Sequence, residues 1–315
     1  MHLPVTGPRA GRWPLGLLVT CVALVWLLAA GAPAWAGVTL EAPAAVADGQ
    51  AFVATVTADQ PAHSATFAWR GKRVTVPMTA QGNFWLGMAL LPVALDTKAG
   101  TEKLKVDVTG MISGTVTGAS GSRPAAQVGV AEHMVAVRPK AYPRQELTVE
   151  GKYVNPVQES LERHNRERER VKAVLSHVDP VPRWTLPLLR PVPGEVSSQF
   201  GLRRVFNGEP RAPHRGLDLR AAEGDPILAV APGKVVLADN HYFAGNSAYV
   251  DHGSGVVSLY LHMSRIAVAA GSVVARGDII GYVGSTGRVT APHLHFGLAV
   301  LGENVDPLPL FEGGM

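Results

Sequence analysis

Hydrophobic and polar positions alternate along two separate stretches of the chain, and both stretches predict short β-strands. The first stretch contains five such runs, at residues 51–57, 65–69, 73–76, 104–108 and 134–137. The second contains seven, at residues 227–230, 234–237, 247–251, 256–262, 272–274, 278–283 and 293–300. Alternation of this kind is typical of strands with one face on a core. We therefore expect a mainly β protein, with an immunoglobulin-like β-sandwich in residues 37–140 and an antiparallel β-sheet domain in residues 194–315.

Residues 141–193 differ from both stretches and predict a helical and proline-rich linker. Arginine and glutamate alternate within residues 155–177, which favours a solvated helix over a nucleic-acid contact. We expect Asn155 to cap this helix, Pro156 to occupy its first position and Gln158 to complete a capping box. A thin apolar stripe comprises Val157, Leu161, Val171 and Val174.

Residues 1–36 have the order and proportions of a secretory signal. Arg9 and Arg12 precede an apolar run over residues 15–30, and Ala-Trp-Ala at residues 34–36 supplies small residues for cleavage. An uncleaved membrane anchor is the alternative, because the apolar run almost has the length that crosses a bilayer. Either reading leads to a periplasmic or secreted protein, whose membrane contact is confined to this segment.

Composition excludes several other kinds of protein. Cleavage after Ala36 removes the single cysteine and two arginines, which leaves 27 basic and 25 acidic residues and a formal charge of +2. A chain without cysteine has no disulfide scaffold and no thiolate ligand. Because no basic face with interleaved aromatic residues is found, we expect no nucleic-acid partner.

Histidine is concentrated in the second β region. Six of the eleven histidines fall between His214 and His295, where the patterns His214-x-x-x-Asp218 and His293-x-His295 stand out. Imidazole nitrogens and carboxylate oxygens are zinc ligands, and a catalytic site leaves one position open. His214, Asp218 and one histidine of the pair would make such a site. The other member and His262 would then be available for proton transfer, and we expect Tyr260 to share the strand face of His262.

The same motifs, in the same order, resemble the lysostaphin-type zinc endopeptidases, also called LytM-like peptidases. The resemblance covers about 115 residues and includes the segments 198–203, 251–253, 277–281, 284–288 and 292–296. It implies a curved antiparallel sheet with a groove over a Zn²⁺ ion held by His214, Asp218 and His295. It also implies that His262 and His293 are the two catalytic histidines that do not bind the metal, and that the substrate is bacterial peptidoglycan.

From this resemblance we expect a zinc-dependent endopeptidase that hydrolyses peptide bonds in peptidoglycan stem peptides or cross-bridges. Our hypothesis is that His262 and His293 position and deprotonate the zinc-bound water, stabilise the oxyanion and protonate the leaving amine. The chain departs from the family pattern at Ala291, where a glycine is usual. The loop of residues 204–213 also has no tyrosine of the kind that some relatives use at this step.

Other functions remain open on the sequence alone. Several relatives are non-catalytic wall-binding proteins or amidase activators, but those have lost metal ligands and this chain has an intact set. The N-terminal region could bind the wall, and this region or the linker could inhibit the enzyme intramolecularly. Either a D-Ala–diamino acid cross-link or a glycine bridge fits the motifs.

Overall fold

The computed structural model describes residues 37–111, 125–151 and 156–311. The predicted signal segment and Asn155 lie outside these residues. About half of the described residues are in strands and far fewer are in helices, which confirms the prediction of a mainly β protein. No helix in the part of the chain described here combines the length and apolar character needed to cross a membrane.

Nine strands between residues 37 and 138 form two sheets. They are β1 (Val38–Glu41), β2 (Ala45–Ala47), β3 (Ala51–Ala58), β4 (Ser64–Trp69), β5 (Lys72–Pro77), β6 (Thr79–Gln81), β7 (Phe84–Pro92), β8 (Gly100–Met111) and β9 (Ala125–Arg138). One sheet has the order β1-β3-β7-β6 and the other the order β2-β9-β8-β4-β5. All neighbours are antiparallel except β2 and β9, which are parallel. The pair β2–β9 is thus the one parallel pair in the described part of the sandwich.

The sandwich core follows the alternation of its strands. Along β3 every second residue is buried, and each of these buried residues is apolar. Trp69 is only 1% exposed; its indole N–H donates to the carbonyl of Pro92 at 2.8 Å, and its ring meets the edge of Phe52 at 5.2 Å between centroids. A buried indole keeps its one donor satisfied in this way. Trp69 is thus the core anchor that its place in an alternating run predicts.

The C-terminal region is built around a larger antiparallel sheet. Its strands are β11 (Val196–Ser198), β12 (Arg203–Phe206), β13 (Glu209–Pro210), β14 (Leu217–Leu219), β15 (Pro226–Leu228), β16 (Gly233–His241), β17 (Gly245–Asp251), β18 (Val256–Met263), β19 (Arg265–Ile266), β20 (Val273–Val274), β21 (Ile279–Tyr282), β22 (Leu294–Val300) and β23 (Glu303–Val305). The main sheet has the order β11-β14-β22-β18-β17-β16-β20, with β23 paired to β22. Strands β15, β21 and β19 form a small separate sheet, and a 3-10 turn (Leu308–Leu310) follows β23.

The segment that the sequence assigns to a linker packs on the C-terminal region. A strand β10 (Arg144–Leu147) pairs in parallel with β12, and β13 extends the same small sheet. Further along, Leu188 is 1% exposed, and its N–H donates to the carbonyl of Leu310 at 2.7 Å. The proline-rich connector is therefore extended, as expected, but it is held against the sheet.

The helix α1 (Gln158–Ser176) begins later than predicted. Val157 is its N-cap, with extended backbone and no side-chain capping bond, so Pro156 lies before the helix. The side chain of Gln158 instead donates to Glu162 at 3.0 Å. The predictions for Pro156 and Gln158 are wrong because the chain is still extended at Val157, which delays the first helical turn. Of the predicted apolar stripe, Val171 and Val174 pack on the sheet, whereas Val157 and Leu161 are exposed.

Tyr142 joins the sandwich to the C-terminal region. Its hydroxyl donates to the carbonyl of Asp48 at 2.7 Å, and its ring meets the edge of Phe200 at 6.3 Å between centroids. Gly201 has a φ of +82°, and a Cβ there would lie 2.1 Å from a ring carbon of Tyr142. A side chain at Gly201 is therefore excluded by both backbone conformation and space. This packing brings β10 alongside β12.

Candidate metal centre and active-site cleft

The register of two neighbouring strands brings the three predicted metal ligands together. Asp218 on β14 lies directly opposite His295 on β22, and His214 lies just before β14. Asp218 Oδ1 is 3.0 Å from His214 Nε2 and 2.8 Å from His295 Nδ1. The two histidine nitrogens are 3.0 Å apart. Residues 81 positions apart in sequence thus present three donor atoms to one point.

Hydrogen bonds and space fix which atoms of the two histidines face this point. His214 Nδ1 lies 2.8 Å from the carbonyl oxygen of Gln199, to which it donates, so Nε2 carries the free lone pair. His295 lies against Gly216, where a Cβ would come within 2.6 Å of its Nε2. Glycine at position 216 is therefore required for the imidazole of His295 to lie in this orientation.

The carboxylate of Asp218 is held in its ionised form. Burial by itself raises the pKa of Asp218, but the imidazoles of His214 and His295 beside it outweigh burial and hold that pKa well below its usual range. Burial also lowers the pKa of His295 to about 4. The cluster therefore offers an anionic oxygen at Asp218 and a neutral imidazole at His295, which are the forms that bind a metal ion.

His262 reaches the same point through a break in strand alternation. Its backbone has a φ of +65°, and two residues of β18 here face one residue of β17, which makes a β-bulge. The ring of His262 lies 5.9 Å from that of His295, whereas Tyr260 packs on Phe296, which points to the opposite face of β22. The prediction that Tyr260 shares a face with His262 is wrong because the bulge turns His262 over.

The two remaining predicted site residues lie beside the cluster, each with its Nδ1 held by a backbone carbonyl. His262 Nδ1 donates to the carbonyl of Thr286 at 2.9 Å, and His293 Nδ1 donates to the carbonyl of Ala291 at 2.8 Å. His293 Nε2 lies 3.6 Å from Asp218 Oδ1. Burial, the largest cause, together with the neighbouring imidazoles lowers the pKa of His262 to about 3. All five predicted site residues are therefore close together in space.

The loop of residues 284–288 supports His262. Thr286 Oγ1 accepts from the N–H of Asn246 at 2.9 Å and donates to the carbonyl of Met263 at 2.8 Å. Gly245 and Gly287 have φ values of +64° and +79°, and a Cβ on either would clash with the backbone of the other segment. The two glycines allow the close approach that presents the Thr286 carbonyl to His262. The loop also borders the cleft, which Arg288 helps to line.

The cluster lies at the bottom of an open cleft of about 480 Å³, which continues into a second depression beside His293. Five arginines line the two parts: Arg204, Arg211, Arg215, Arg220 and Arg288. Asp218 is the one acidic side chain among the described lining residues. The guanidinium of Arg288 lies 5.0 Å from the ring centre of Phe206 and 4.4 Å from that of Phe243, so it joins two walls of the cleft.

Two other histidines between residues 214 and 295 lie outside the site. His252 is fully buried, with Nδ1 2.8 Å from the carbonyl of Pro232 and Nε2 2.7 Å from Ser258 Oγ. His241 is also buried, and its Nδ1 lies 3.0 Å from Ser247 Oγ. In the sequence, neither histidine has a second metal-binding residue at a suitable spacing. A structural role is therefore expected for both, and their contacts agree with it.

Sequence reasoning missed two side chains behind the metal cluster. Arg204 Nη2 donates to Asp218 Oδ2 at 2.7 Å, and Gln145 of β10 accepts from Arg204 Nε at 3.3 Å. The sequence carries no spacing signal for this chain of contacts. It depends on a parallel pairing between segments almost sixty residues apart.

Comparisons with known proteins agree with this geometry. Residues 212–307 match the model of peptidase family M23. Over 114 residues the chain is 43% identical to the peptidoglycan DD-endopeptidase ShyA of Vibrio cholerae. This match covers 36% of this chain and 26% of ShyA. The chain is 38% identical over 113 residues to the DD-carboxypeptidase/endopeptidase Mpg of Neisseria meningitidis, again covering 36% of this chain and 26% of the relative. The matches thus span about a quarter of the length of these curated relatives.

One solved structure is similar over most of both chains. A Pseudomonas aeruginosa protein assigned to peptidase M23 superposes with a TM-score of 0.59 and 32% identity. The superposition covers 81% of this chain and 91% of that protein, and so includes more than the catalytic segment. The resemblance inferred from the motifs is confirmed, and the chain belongs to peptidase family M23.

Proposed function

We propose that this protein is a zinc-dependent endopeptidase that hydrolyses peptide bonds in bacterial peptidoglycan. The observation that carries the proposal is the convergence of His214, Asp218 and His295 on one point, with the rings of His262 and His293 beside it. Two relatives from different bacteria are named as peptidoglycan or DD-endopeptidases, which supports the same activity and substrate.

The donor set fits zinc. Ligand atoms of a tetrahedral zinc site lie about 3.4 Å apart when each is about 2.1 Å from the metal. The three donor atoms lie 2.8 to 3.0 Å apart, so an expansion of a few tenths of an ångström is sufficient. Two imidazoles, one carboxylate and a cleft open to solvent are typical of a catalytic zinc site with one free coordination position.

Within such a site we assign separate tasks to the side chains. A zinc ion held there would polarise the scissile carbonyl and make a water molecule acidic enough to serve as nucleophile near neutral pH. His262 and His293, with their Nδ1 protons held by backbone carbonyls, each have a free Nε2 lone pair to accept a proton. The same nitrogens, once protonated, can stabilise the oxyanion and donate a proton to the leaving amine.

The charge of the cleft favours an anionic peptide as substrate. Five arginines line the described part of the cleft and its extension, and the single acidic residue there, Asp218, is paired with only one of them, Arg204. Guanidinium groups bind carboxylates through charge-assisted hydrogen bonds. Stem peptides carry free carboxylates, whereas the interior of a glycine bridge carries none. We therefore favour a D-Ala–diamino acid cross-link over a glycine bridge as the bond that is cut.

We also propose that the protein acts outside the cytoplasm, because residues 1–36 have the pattern of a secretory signal and peptidoglycan lies beyond the membrane. Non-catalytic wall binding or amidase activation is the other function considered from the sequence. The complete set of donor atoms argues against it, since the non-catalytic relatives have lost ligands.

Digestion of purified wall sacculi tests the proposed function. The zinc-loaded protein should release fragments whose masses correspond to cleaved D-Ala–diamino acid cross-links, and a chelator should stop the release. His214→Ala is the matched control and should release nothing. Release that continues in the presence of a chelator, or no release from any type of wall after zinc loading, would contradict the proposal.

A further inference from the structure

The strand β10 (Arg144–Leu147) places a side chain of the predicted linker behind the metal cluster. It pairs in parallel with β12 so that Gln145 lies beside Arg204. The side chain of Gln145 is held at both ends: its Nε2 donates to Ser198 Oγ at 2.9 Å, and its Oε1 accepts from Arg204 Nε at 3.3 Å. Ser198 is itself paired with Asp218 across β11 and β14. The linker strand is thereby tied to the strand that carries a proposed metal ligand.

Arg204 contacts Gln145 on one side and Asp218 on the other. Its Nη2 donates to Asp218 Oδ2 at 2.7 Å, with the two side chains 17% and 10% exposed. The other carboxylate oxygen, Oδ1, is the one that faces the imidazoles, at 3.0 Å from His214 and 2.8 Å from His295. The two oxygens of Asp218 therefore have separate partners, and the guanidinium determines which oxygen faces the metal position.

Resting on the proposed metal site, we infer that Gln145 and Arg204 are positioning residues that orient Asp218 for metal binding, so that a strand of the linker completes the metal centre. A carboxylate ligand without such a partner is free to rotate about its Cβ–Cγ bond and to present either oxygen. Outer partners of metal ligands generally change metal affinity by about 10- to 100-fold. Arginine suits this position because its planar fork can contact Asp218 through Nη2 and Gln145 through Nε at the same time.

The affinity of the full chain for Zn²⁺, measured by competition with a chromogenic chelator, tests this inference without relying on turnover. We expect Arg204→Gln to weaken zinc binding by about 10- to 100-fold. Gln145→Ala should weaken it by roughly 3- to 10-fold, as expected for one hydrogen bond. Arg144→Gln is the matched control, because Arg144 lies on the same strand and its ion pair among the described residues is with exposed Glu146. This control should bind zinc as wild type does.

A double-mutant cycle tests whether Gln145 acts through Arg204. In the Arg204→Gln background, Gln145→Ala should have no further effect on zinc affinity. Arg204→Lys keeps a cation near Asp218 but loses the Nε contact, so it should restore part of the affinity and be insensitive to Gln145→Ala. The visible absorption bands of bound Co²⁺ should change in Arg204→Gln and remain unchanged in Arg144→Gln, since they report the geometry of the ligands.

Circular dichroism and thermal midpoints separate misfolding from loss of positioning. If Arg204→Gln is folded and binds zinc with wild-type affinity and an unchanged Co²⁺ spectrum, the inference is wrong while the proposed function stands. Additive effects of Gln145→Ala and Arg204→Gln would also overturn it. If the wild-type chain binds no zinc, the proposed zinc-dependent function is itself wrong, and the inference that rests on it is wrong as well.

Discussion

The sandwich and the C-terminal sheet use polar positions differently. Along β3 of the sandwich, buried and partly exposed residues alternate, and every inward side chain is apolar. Along β14, β17, β18 and β22, nearly every position is buried, so both faces of these strands are covered. Polar groups such as Ser258, His252 and Asp218 are therefore enclosed, and each has a specific partner. In the sandwich, one face of each strand meets solvent, and alternation of apolar and polar residues is enough to specify the fold. In the C-terminal sheet, both faces of the strands are covered, and the contacts between buried polar groups also form the metal cluster.

The largest effect should come from removing a carboxylate ligand. Asp218→Asn keeps the size of the side chain but loses its charge, so we expect zinc binding to fall sharply. Peptidoglycan cleavage should fall by at least about a thousandfold, since several kcal/mol of metal assistance are lost. Denaturant unfolding of the metal-free protein should show a stability close to wild type. If the variant is unfolded, Asp218 is required for stability of the fold and not only for metal binding.

A somewhat smaller effect is expected at His262. His262→Ala should bind zinc as tightly as wild type and lose about a hundredfold to ten-thousandfold in cleavage rate, because a proton-transfer group is removed. His262→Asn is a useful second variant, since asparagine tolerates the φ of +65° at this position. Rates of cleavage and zinc affinity are the two measurements. Wild-type cleavage by either variant would contradict the assigned role.

The sandwich should respond in the opposite way, through stability and not through catalysis. Trp69→Ala should lower the free energy of unfolding by about 3–5 kcal/mol, because a large buried side chain leaves a cavity. The cleavage rate per folded molecule should be unchanged. Met134→Ala, at a position that is 52% exposed, is the control and should change stability by less than about 0.5 kcal/mol. A loss of turnover in folded Trp69→Ala would show that the two regions are coupled.

The smallest effect is expected from a buried histidine outside the site. Burial lowers the pKa of His252 from 6.5 to about 4, so the unfolded chain takes up a proton below pH 6.5 that the folded chain does not. The stability that neutral His252 contributes is therefore present above pH 6.5 and lost as the pH falls towards 4, by about 3 kcal/mol in all. His252→Gln should show a correspondingly shallower loss when metal-free proteins are unfolded at pH 7.5 and 4.5. An equal loss in both proteins would mean that His252 is not responsible.

The sequence predicts most strands because their patterns are local. The alternating runs lie within the observed strands or overlap them, and Trp69 occupies the core as expected. His214, Asp218 and His295 could be grouped from their motifs, since the order of these motifs resembles a known family. The described geometry then brings their donor atoms together. For these elements, information within a few residues was sufficient.

The predictions that were wrong or missing mostly concern features that depend on residues far away in the sequence. The face of His262 follows from a bulge that exists only in the pairing of β18 with β17. The strand β10 has a mixed polar pattern, and it forms because β12 offers a free edge beside it. The contact of Gln145 with Arg204 depends on that pairing in turn. The start of α1 was misplaced because proline and glutamine favour a helix start without requiring one.

An anomalous diffraction map of zinc-loaded crystals is the most direct test of the metal centre. We expect one zinc peak per chain, about 2.0–2.2 Å from His214 Nε2, Asp218 Oδ1 and His295 Nδ1, with a fourth position open to the cleft. His262 and His293 should lie near the ion without binding it. A zinc peak at another set of residues, or none at this cluster in fully loaded protein, would contradict the account.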